Sequence, residues 1–453
     1  MANLDITLRD SFGSKLGVIA ATAGSAIGLG NIWRFPYVAG ENGGAAFLLV
    51  YIVFILAIGI PVMISEFVIG RNAQRNPYGA FRFLKPKAKW HLVGLMFIVT
   101  AFMILAFYST VAGWTMEYLY SSLLNQFKGE DAAALTNTFE AFRTSGYQPA
   151  FWQLIFMFLT AGIVIAGVQK GIEKYSKILM PMLLVLLLAL CVRALTLPGA
   201  GEGLRFLFAP DFSKITGKVI LEALGQSFFS LSIGMGTLIT YGSYIHKKEK
   251  LGNTAVAVSA ADTLIAILAG VAIFPAVFAF HIEPASGPGL VFITLPNIFN
   301  QMPAGYFFAI LFFLLLIIAA LTSSISVLEV VVAFFSEEFN ISRKKATFWA
   351  AFGIAVLGFV CTMSQGPWDK VQLFGQNLFD ILDFTSANIL LPVGGLFIVL
   401  FVGWFLGKSA LKDELSNKGT VRVVFYGAYL FIIRFIAPIA IAFVFLNGLG
   451  LLG

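Results

Sequence analysis

Long apolar segments recur along this chain and constrain its fold more than any other feature. A transmembrane helix needs roughly 20 predominantly apolar residues, because its length must match the hydrocarbon thickness of a bilayer. About eleven segments meet that criterion. They lie near residues 15–39, 45–70, 91–124, 150–168, 174–197, 218–245, 254–281, 305–335, 344–363, 376–406 and 421–446. A chain with 59% hydrophobic residues could not hide this surface in one water-soluble core, so we predict an all-α membrane protein.

Basic residues are distributed unequally between the two ends of the predicted spans. Of the 30 Lys and Arg residues, 21 lie at one end and seven at the other, with Arg34 and Arg434 inside spans. Since basic loops remain in the cytoplasm, we expect a cytoplasmic N-terminus. An odd number of spans then places the C-terminus outside. The same distribution accounts for the net charge of +7 without a nucleic-acid partner.

The segments between the spans are short. The longest outer segments, near 125–149 and 198–217, are too short to form independent domains, so one membrane domain over residues 1–453 is expected. The apolar start after Lys15 has no small-residue cleavage site, which favours a first membrane helix over a signal peptide. Cys191 and Cys361 both lie in apolar runs and are predicted to be inert buried thiols.

Glycine interrupts the first and sixth spans near their middles. The first contains GSAIGLGNIWRFP (24–36) and the sixth contains GQSFFSLSIGMG (225–236). Broken backbone at membrane depth persists only where it lines a cavity or is buried in protein. Freed carbonyls can coordinate Na⁺, and freed helix N-termini can hold a carboxylate. Close helix packing by small residues is the alternative. The broken spans one and six are each the first of a group of five spans. Their matching positions in the two groups favour a transport site.

Several motifs resemble the neurotransmitter:sodium symporter family, whose bacterial members have the LeuT fold. They are GSAIGLGNIWRFPYVAGENGGAAFLLVY in spans one and two, GIPVMISEFVIGR (59–71), GQSFFSLSIGMGTLITYGSY (225–244), FITLP (292–296) and ALTSSIS (320–326). Eleven spans look like the bacterial subgroup that includes multi-hydrophobic amino-acid and tyrosine transporters. The resemblance implies a five-plus-five inverted repeat with broken helices one and six. Residues 15–197 would form the first repeat, 218–406 the second, and 421–446 an additional helix.

The resemblance also implies two sodium sites. The first would use the carbonyl of Ala26 and the side chains of Asn31, Ser230 and Asp262, with the substrate carboxylate completing the shell. The second would use the carbonyls of Gly24, Ile27 and Ala319 with the hydroxyls of Thr322 and Ser323. Oxygen ligands suit a hard cation. Without the resemblance, Thr322, Ser323 and Ser324 would be interpreted as helix-packing hydroxyls that bond back to the i−4 carbonyl.

Asp262 departs from the family pattern. Many members carry Asn at this position, and chloride-dependent members have Ser one turn later, where this chain has Ala266. An acid in a membrane span costs roughly 2.5–3.5 kcal/mol on insertion scales. We therefore predict an anionic Asp262 that faces Na⁺ and replaces chloride. A protonated or water-solvated Asp262 without an ion role is the alternative.

The same resemblance implies a substrate site at the two breaks. Amine-transporting relatives have Asp at the Gly28 position, so Gly28 favours an α-amino acid that brings its own carboxylate. The expected substrate-binding residues are Ala26, Gly28, Gly30, Ile104, Tyr108, Phe229, Ser230, Ser232, Met235, Ser323, Ser326 and Val327. This set is mainly apolar, as small-molecule sites usually are, and Met235 re-packs easily. We expect sodium-coupled uptake of hydrophobic L-amino acids, with aromatic ones among the candidates.

Family positions also suggest gates. Arg34 with Asp383 would form the outer gate and Arg9 with Glu337 the inner gate. Glu66 would be a buried structural group beside the broken first helix, with a proton role as the alternative. Gly171 and Pro181 resemble a Gly-x9-Pro motif at which the fifth span can unwind, since Pro removes a helix hydrogen bond.

An enzyme, a channel and a receptor are the alternatives to a transporter. An enzyme would need a catalytic cluster, but His91, His246 and His281 are dispersed and no phosphate-binding loop is present, so an enzyme is not predicted. A non-transporting amino-acid receptor would keep the same site. The expected partners are a small amino acid, Na⁺ and membrane lipid, with no nucleic acid and no obligate protein partner.

Overall fold

The computed structural model describes residues 10–280 and 289–451, and this part of the chain is helical apart from turns and one isolated bridge between Leu373 and Gln376. Nine continuous helices within it are long and apolar enough to cross a membrane. They are Ala45–Ala73, His91–Leu123, Tyr147–Val164, Val168–Leu195, Leu251–Ala279, Gly305–Glu338, Arg343–Met363, Leu378–Phe405 and Tyr426–Gly448. The prediction of an all-α membrane protein is confirmed.

The first span is bent and the sixth is interrupted. Lys15–Ala26 and Gly30–Glu41 meet at 52° and together make a tenth apolar span in the described chain. The sixth predicted span consists of Gly217–Ser230 and Thr237–Gly242, separated by non-helical residues 231–236. Each half is too short to cross a membrane alone. The nine continuous helices and the bent first span therefore make ten apolar spans in the described chain, one fewer than the eleven predicted.

Backbone conformation explains both interruptions. Ile27 is extended, with φ −76° and ψ 105°, and ends the first helix at Ala26. In the sixth span Gly234 and Gly236 have φ of +85° and +80°, a region that favours glycine. A Cβ on Gly234 would also lie 2.4 Å from the carbonyl oxygen of Leu391, so this glycine lets the break approach span ten closely.

Shorter helices connect the spans. They are Pro77–Leu84, Ala132–Thr144, Ala200–Phe208, Leu295–Gln301 and Lys408–Leu415, with a single 3-10 turn at Phe212–Lys214. Several helices contain a π-helical stretch: Gly30–Arg34, Ile55–Gly59, Val168–Glu173, Leu290–Thr294, Thr385–Leu390, Phe401–Phe405 and Ile432–Ile436. Cys191 and Cys361 are free and buried.

The third and eighth spans, His91–Leu123 and Gly305–Glu338, pack along each other. The broken first span lies between this pair and the seventh span, Leu251–Ala279. The eighth span is the most enclosed, whereas the eleventh, Tyr426–Gly448, faces mainly outward. The two breaks therefore lie inside the bundle, where protein rather than lipid surrounds their unpaired backbone groups.

Candidate functional site

A small cavity of about 40 Å³ lies between the two helix breaks. Ten of the predicted substrate-binding residues line it: Ala26, Gly28, Gly30, Ile104, Tyr108, Phe229, Ser232, Met235, Ser323 and Val327. Ser25 and Leu105 line it too, although the sequence did not single them out. Ser230 lies in an adjoining polar cluster, and the hydroxyl of Ser326 instead accepts a hydrogen bond from Tyr241 at 2.8 Å.

A side chain at Gly28 would require the Ser323 hydroxyl to move. A Cβ at this position would lie 2.3 Å from Oγ of Ser323 and 3.1 Å from the hydroxyl of Tyr108. The Tyr108 hydroxyl accepts a hydrogen bond from the N–H of Leu29 at 3.3 Å. The break thus brings backbone amides and a phenol together at the wall of the cavity, which is an arrangement suited to an anionic group.

A polar cluster centred on Asp262 adjoins the cavity. Its Oδ1 accepts hydrogen bonds from Nδ2 of Asn31 at 2.7 Å and from Oγ of Ser230 at 3.0 Å, and Tyr51 donates to Oδ2 at 3.2 Å. Asp262 is fully buried, and no Lys or Arg within the described chain lies within ion-pair distance of it. A carboxylate with neutral donors and no basic partner is suited to binding a cation.

Tyr51 was missed by the sequence reasoning. Its hydroxyl oxygen also lies 3.1 Å from Oγ of Ser230, and its ring is fully buried against Phe35 and Phe47. Its position inside an apolar span indicates that its hydroxyl needs a polar partner, because a buried Tyr hydroxyl usually makes a hydrogen bond.

A second group of oxygens lies where spans one and eight meet. Oγ1 of Thr322 is 3.0 Å from the carbonyl oxygen of Ala319 and 3.5 Å from that of Ile27. Oγ of Ser323 is 3.2 Å from the same Ile27 oxygen and 3.4 Å from that of Gly24. Each hydroxyl carries one hydrogen and can donate to only one carbonyl at a time, and Oγ1 of Thr322 also lies 3.1 Å from the i−4 carbonyl oxygen of Ile318. A surplus of converging oxygens is the coordination chemistry of a hard cation.

A cavity of about 780 Å³ opens beyond the central one toward the end of the bundle that carries few basic residues. Gly30, Tyr108 and Phe229 line both cavities and so lie at the boundary between them. Arg34 and Asp383 also line the larger cavity, and no ion pair within 4 Å joins them in the described chain. The guanidinium of Arg34 instead lies 4.4 Å from the ring centroid of Phe229.

Comparison with known proteins identifies the family. The model of the sodium:neurotransmitter symporter family matches residues 9–146 and 141–451. The chain belongs to this family. An uncharacterised sodium-dependent transporter of Bacillus subtilis is 41% identical over 97% of both chains, and one of Haemophilus influenzae is 38% identical over 97% of this chain and 98% of its own. The crystal structure of MhsT in complex with L-phenylalanine is 48% identical, with a TM-score of 0.88 over 97% of this chain and 100% of that one.

The family match confirms three predictions. This symporter-family protein is a sodium-dependent transporter with the LeuT fold, it uses sodium, and it is not an enzyme. The sequence resemblance was therefore correct for the family. The individual ligands of each ion and the residues that contact the substrate remain predictions.

The opposite end of the transporter is closed by aromatic and charged side chains. The ring of Phe12 packs edge-on against Tyr241 and Tyr244, with centroids 5.5 and 6.0 Å apart. Arg9 lies outside the described residues. Glu337, its predicted inner-gate partner, accepts hydrogen bonds at 2.9 Å from both the backbone N–H and the side chain of Asn76.

Glu66 is a buried group, as expected. Its Oε1 accepts the N–H of Gly234 at 2.9 Å, so its bond is to the break of the sixth span. The carboxylate is fully buried and satisfies an amide that the interruption releases from helical bonding. The spacing of apolar residues in span two does not show which break Glu66 contacts, because span two packs against both broken spans.

A buried ion pair at this closed end was also missed. Arg343 approaches Oε2 of Glu329 at 2.6 Å and donates to the carbonyl of Val164 at 2.8 Å. Tyr244 donates to Oε1 of Glu329 at 2.6 Å. Glu329 is fully buried, and an acid within an apolar span was the signal for such a partner.

Arg343→Gln is expected to lower thermal stability strongly, because it leaves Glu329 buried without a counter-charge. Breaking one side of a buried pair costs about 3–5 kcal/mol. Glu329→Gln combined with Arg343→Gln should recover part of the loss. The melting temperature of the purified transporter is the measurement, and Lys344→Gln is a matched control because Lys344 is exposed. An unchanged melting temperature in Arg343→Gln would contradict the assigned pairing.

The fifth span packs against the second group of oxygens. Sδ of Met180 lies 3.3 Å from where a Cβ of Gly24 would be, and Pro181 follows it inside the helix. Gly171 belongs to the π-helical stretch Val168–Glu173. Glu173 ends that stretch and accepts the N–H of Gly13 at 2.6 Å. The irregular end of span five is therefore tied to the start of span one.

Proposed function

We propose that this transporter is a sodium-coupled symporter that takes up hydrophobic L-amino acids, aromatic ones included, by alternating access and without chloride. The observation that carries the proposal is an apolar cavity between two helix breaks with an oxygen-rich cluster on each side. One cluster contains the buried carboxylate of Asp262, and the other contains Thr322 and Ser323. A zwitterion and cations are held together most favourably where their charges oppose each other at short range.

In this proposal the substrate lies across the two breaks. Its carboxylate binds the backbone amides at Gly28–Gly30 and the Tyr108 hydroxyl, and its ammonium group meets carbonyls around Ala26 and Phe229. Its side chain packs against the predicted apolar residues of spans three, six and eight. MhsT, which is 48% identical to this chain, was crystallised with L-phenylalanine, and that supports an aromatic substrate.

Two sodium ions are proposed as co-substrates. The first binds Ala26, Asn31, Ser230 and Asp262, and the second binds Gly24, Ile27, Ala319, Thr322 and Ser323. In the structure the amide of Asn31 directs Nδ2 toward Asp262, while its Oδ1 accepts the N–H of Gly28 at 3.1 Å.

Two sodium ions supply enough energy for strong accumulation. One elementary charge crossing 100 mV releases about 2.3 kcal/mol, so two release about 4.6 kcal/mol before their concentration gradient is counted. Each factor of ten in substrate concentration costs about 1.4 kcal/mol. Accumulation of a neutral zwitterion by about a thousandfold is thus compatible with this coupling.

Alternating access is proposed to use the ends of the bundle as gates. Arg34 and Asp383 approach each other when the outer cavity closes. At the inner end, the contacts of Glu337 break and the inner-gate pair of Arg9 and Glu337 opens. Unwinding between Gly171 and Pro181 admits water to the second sodium site and releases the ion inward. Hydrogen exchange should then be faster in this segment in the inward-facing state; equal protection in both states would exclude the unwinding step.

Membrane placement follows from the distribution of basic loops. We place the chain in a bacterial inner membrane with a cytoplasmic N-terminus and an external C-terminus. Residues 1–453 form one transport domain, with repeats at 15–197 and 218–406 and an additional helix at 421–446. Cysteine labelling of introduced external and internal loop sites in intact cells tests this arrangement.

Uptake into proteoliposomes tests the function directly. The purified transporter is reconstituted, an inward Na⁺ gradient is applied, and a panel of labelled amino acids is offered with chloride or with gluconate. We expect concentrative uptake of hydrophobic and aromatic L-amino acids that is lost in K⁺ and unchanged in gluconate. Saturable binding without flux would support a receptor-like homologue instead, and equal dependence on chloride would contradict chloride independence.

Tyr108→Phe is expected to raise the substrate concentration for half-maximal uptake by about tenfold to a hundredfold. It removes a hydroxyl donor to the proposed carboxylate position, and a hydrogen bond to a charged group is worth about 1.5–3 kcal/mol. Tyr118→Phe is the matched control, because the Tyr118 hydroxyl in the same span is buried without a hydrogen-bond partner in the described structure. Equal kinetics in both variants would remove Tyr108 from the substrate site.

A further inference from the structure

Arg434 is a cation inside an apolar span, and the proposed transport chemistry does not use it. It lies in the π-helical stretch Ile432–Ile436 of span eleven, and its Nε donates to the carbonyl of Gly403 at 2.6 Å. Gly403 belongs to the facing π-helical stretch Phe401–Phe405 of span ten. Within the described chain no Asp or Glu forms an ion pair with Arg434. A cation at this depth is costly unless it reaches an anion or the membrane interface.

A cavity of about 120 Å³ lies beside this arginine, between spans ten and eleven. Arg434, Trp404 and Lys408 line it, and the guanidinium carbon lies 5.0 Å from the centroid of the Trp404 ring. A Cβ on Gly403 would lie 3.2 Å from Cγ of Arg434, so glycine leaves space for the arginine side chain. Gly407, with φ +98°, then turns the chain so that the next helix begins at Lys408.

The charge of this cavity is not neutralised by the adjoining helix Lys408–Leu415. Its Glu414 forms ion pairs with Arg71 at 2.7 Å and with Lys247 at 2.6 Å. In the described structure only Nε of Arg434 makes a hydrogen bond to protein, so the two terminal guanidinium nitrogens can bind a ligand. A guanidinium group binds phosphate oxygens in a bidentate manner.

We propose that this cavity binds the phosphate group of an anionic phospholipid. Phe405 and Phe435, beside the two cations, are 49% and 47% exposed and face outward, where acyl chains would cover them. The cavity also lies at the basic-loop end of the bundle, and basic pockets between transmembrane helices at that side bind anionic headgroups. A free phosphate ion shares the headgroup chemistry but gains nothing from the apolar surface, so the lipid is the chosen ligand.

Native mass spectrometry of the full-length purified protein tests this proposal. Phosphatidylglycerol and phosphatidylcholine with identical acyl chains are titrated separately, and inorganic phosphate is titrated as a third ligand. We expect preferential retention of phosphatidylglycerol, with Arg434→Gln and Lys408→Gln each weakening it about fivefold, since each basic residue near the surface contributes about 1 kcal/mol. Arg434→Lys should retain part of the preference through charge alone.

Matched variants keep the test independent of folding. Arg422 is exposed in the same loop region but does not line the cavity, so Arg422→Gln should bind phosphatidylglycerol as the native protein does. Lys408 is exposed, so Lys408→Gln reports on the site even if Arg434→Gln is unstable. Equal binding of the two lipids, an equal loss in Arg422→Gln, or competition by inorganic phosphate at the lipid's own affinity would overturn the proposal. Each result is independent of which solute is transported.

Discussion

Asp262→Asn is expected to lower sodium-driven uptake by about a hundredfold or more. Asp262 is fully buried, its donors are neutral, and the proposed sodium ion is its only counter-charge. Removing one member of a buried charge pair costs about 3–5 kcal/mol, which corresponds to a factor of at least about a hundred. The expected result is a strongly raised Na⁺ concentration for half-maximal uptake, with little change in the amount of folded protein.

The same variant separates the two interpretations of this carboxylate. Asn resembles a protonated Asp in shape and charge, so Asp262→Asn should transport normally if Asp262 has no ion role. Asp211→Asn provides a matched control, because Asp211 is an exposed carboxylate in the loop before span six. Initial rates of labelled amino-acid uptake at varied Na⁺ are the measurement, and native rates in Asp262→Asn would contradict the first sodium site.

Chloride dependence should appear when the carboxylate is replaced and a hydroxyl is introduced. Chloride-dependent relatives have Ser at the position of Ala266, one turn after Asp262, and Ala266 is fully buried beside it in the same helix. Asp262→Asn with Ala266→Ser is therefore expected to recover uptake in chloride but not in gluconate. Recovery in both salts would show that Asp262 does not stand in for chloride.

Ser323→Ala is expected to raise the Na⁺ concentration for half-maximal uptake by about tenfold to a hundredfold. Its hydroxyl lies within 3.4 Å of the carbonyl oxygens of Gly24, Ser25 and Ile27, and its one hydrogen can be donated to only one of them at a time. A polar contact to a charged group is worth about 1.5–3 kcal/mol, and alanine removes one of the proposed ligands. Thr322→Val should act in the same direction.

The neighbouring residue supplies a close control for this experiment. Ser324 is fully buried in the same helix, and its hydroxyl has no hydrogen-bond partner in the described structure. Ser324→Ala should therefore leave sodium-dependent uptake unchanged. Equal losses in Ser323→Ala and Ser324→Ala would mean that the effect comes from helix packing rather than from ion coordination.

Much of the architecture could be predicted because its causes are local. Apolar segment length predicts the spans, and Gly234 and Gly236 predict an interruption that their positive φ angles produce in the structure. Because of the interruption, helix length alone does not identify span six, since Gly217–Ser230 and Thr237–Gly242 are each short. The sequence motif does identify span six, because the motif does not depend on helix length.

Contacts between distant spans could not be predicted in the same way. Tyr51 and Asp262 are 211 residues apart, and nothing in the apolar sequence around Tyr51 indicates which polar group its hydroxyl meets. The bond of Glu66 to Gly234 could not be predicted for the same reason. Ser323 and Ser326 lie in the same helix, yet one lines the central cavity and the other bonds to Tyr241. Tertiary packing decides which side of the helix each hydroxyl occupies.

The central cavity lies between two different ends of the transporter. Phe229 and Tyr108 lie between it and the outer cavity of about 780 Å³, while Glu329, Arg343 and Tyr244 bond to each other toward the other end. In the proposed alternating-access cycle, the Glu329–Arg343 pair would have to separate or move with one part of the bundle.

Equilibrium binding of labelled L-phenylalanine to the purified protein, measured as K⁺ is replaced by Na⁺ at constant ionic strength, tests the central claim most directly. If one cavity holds the zwitterion next to the cations, the Kd should fall about tenfold or more with rising Na⁺, and the dependence should be steeper than first order. Chloride should have no effect. The same Kd in Na⁺ and K⁺ would contradict a shared site for ion and substrate.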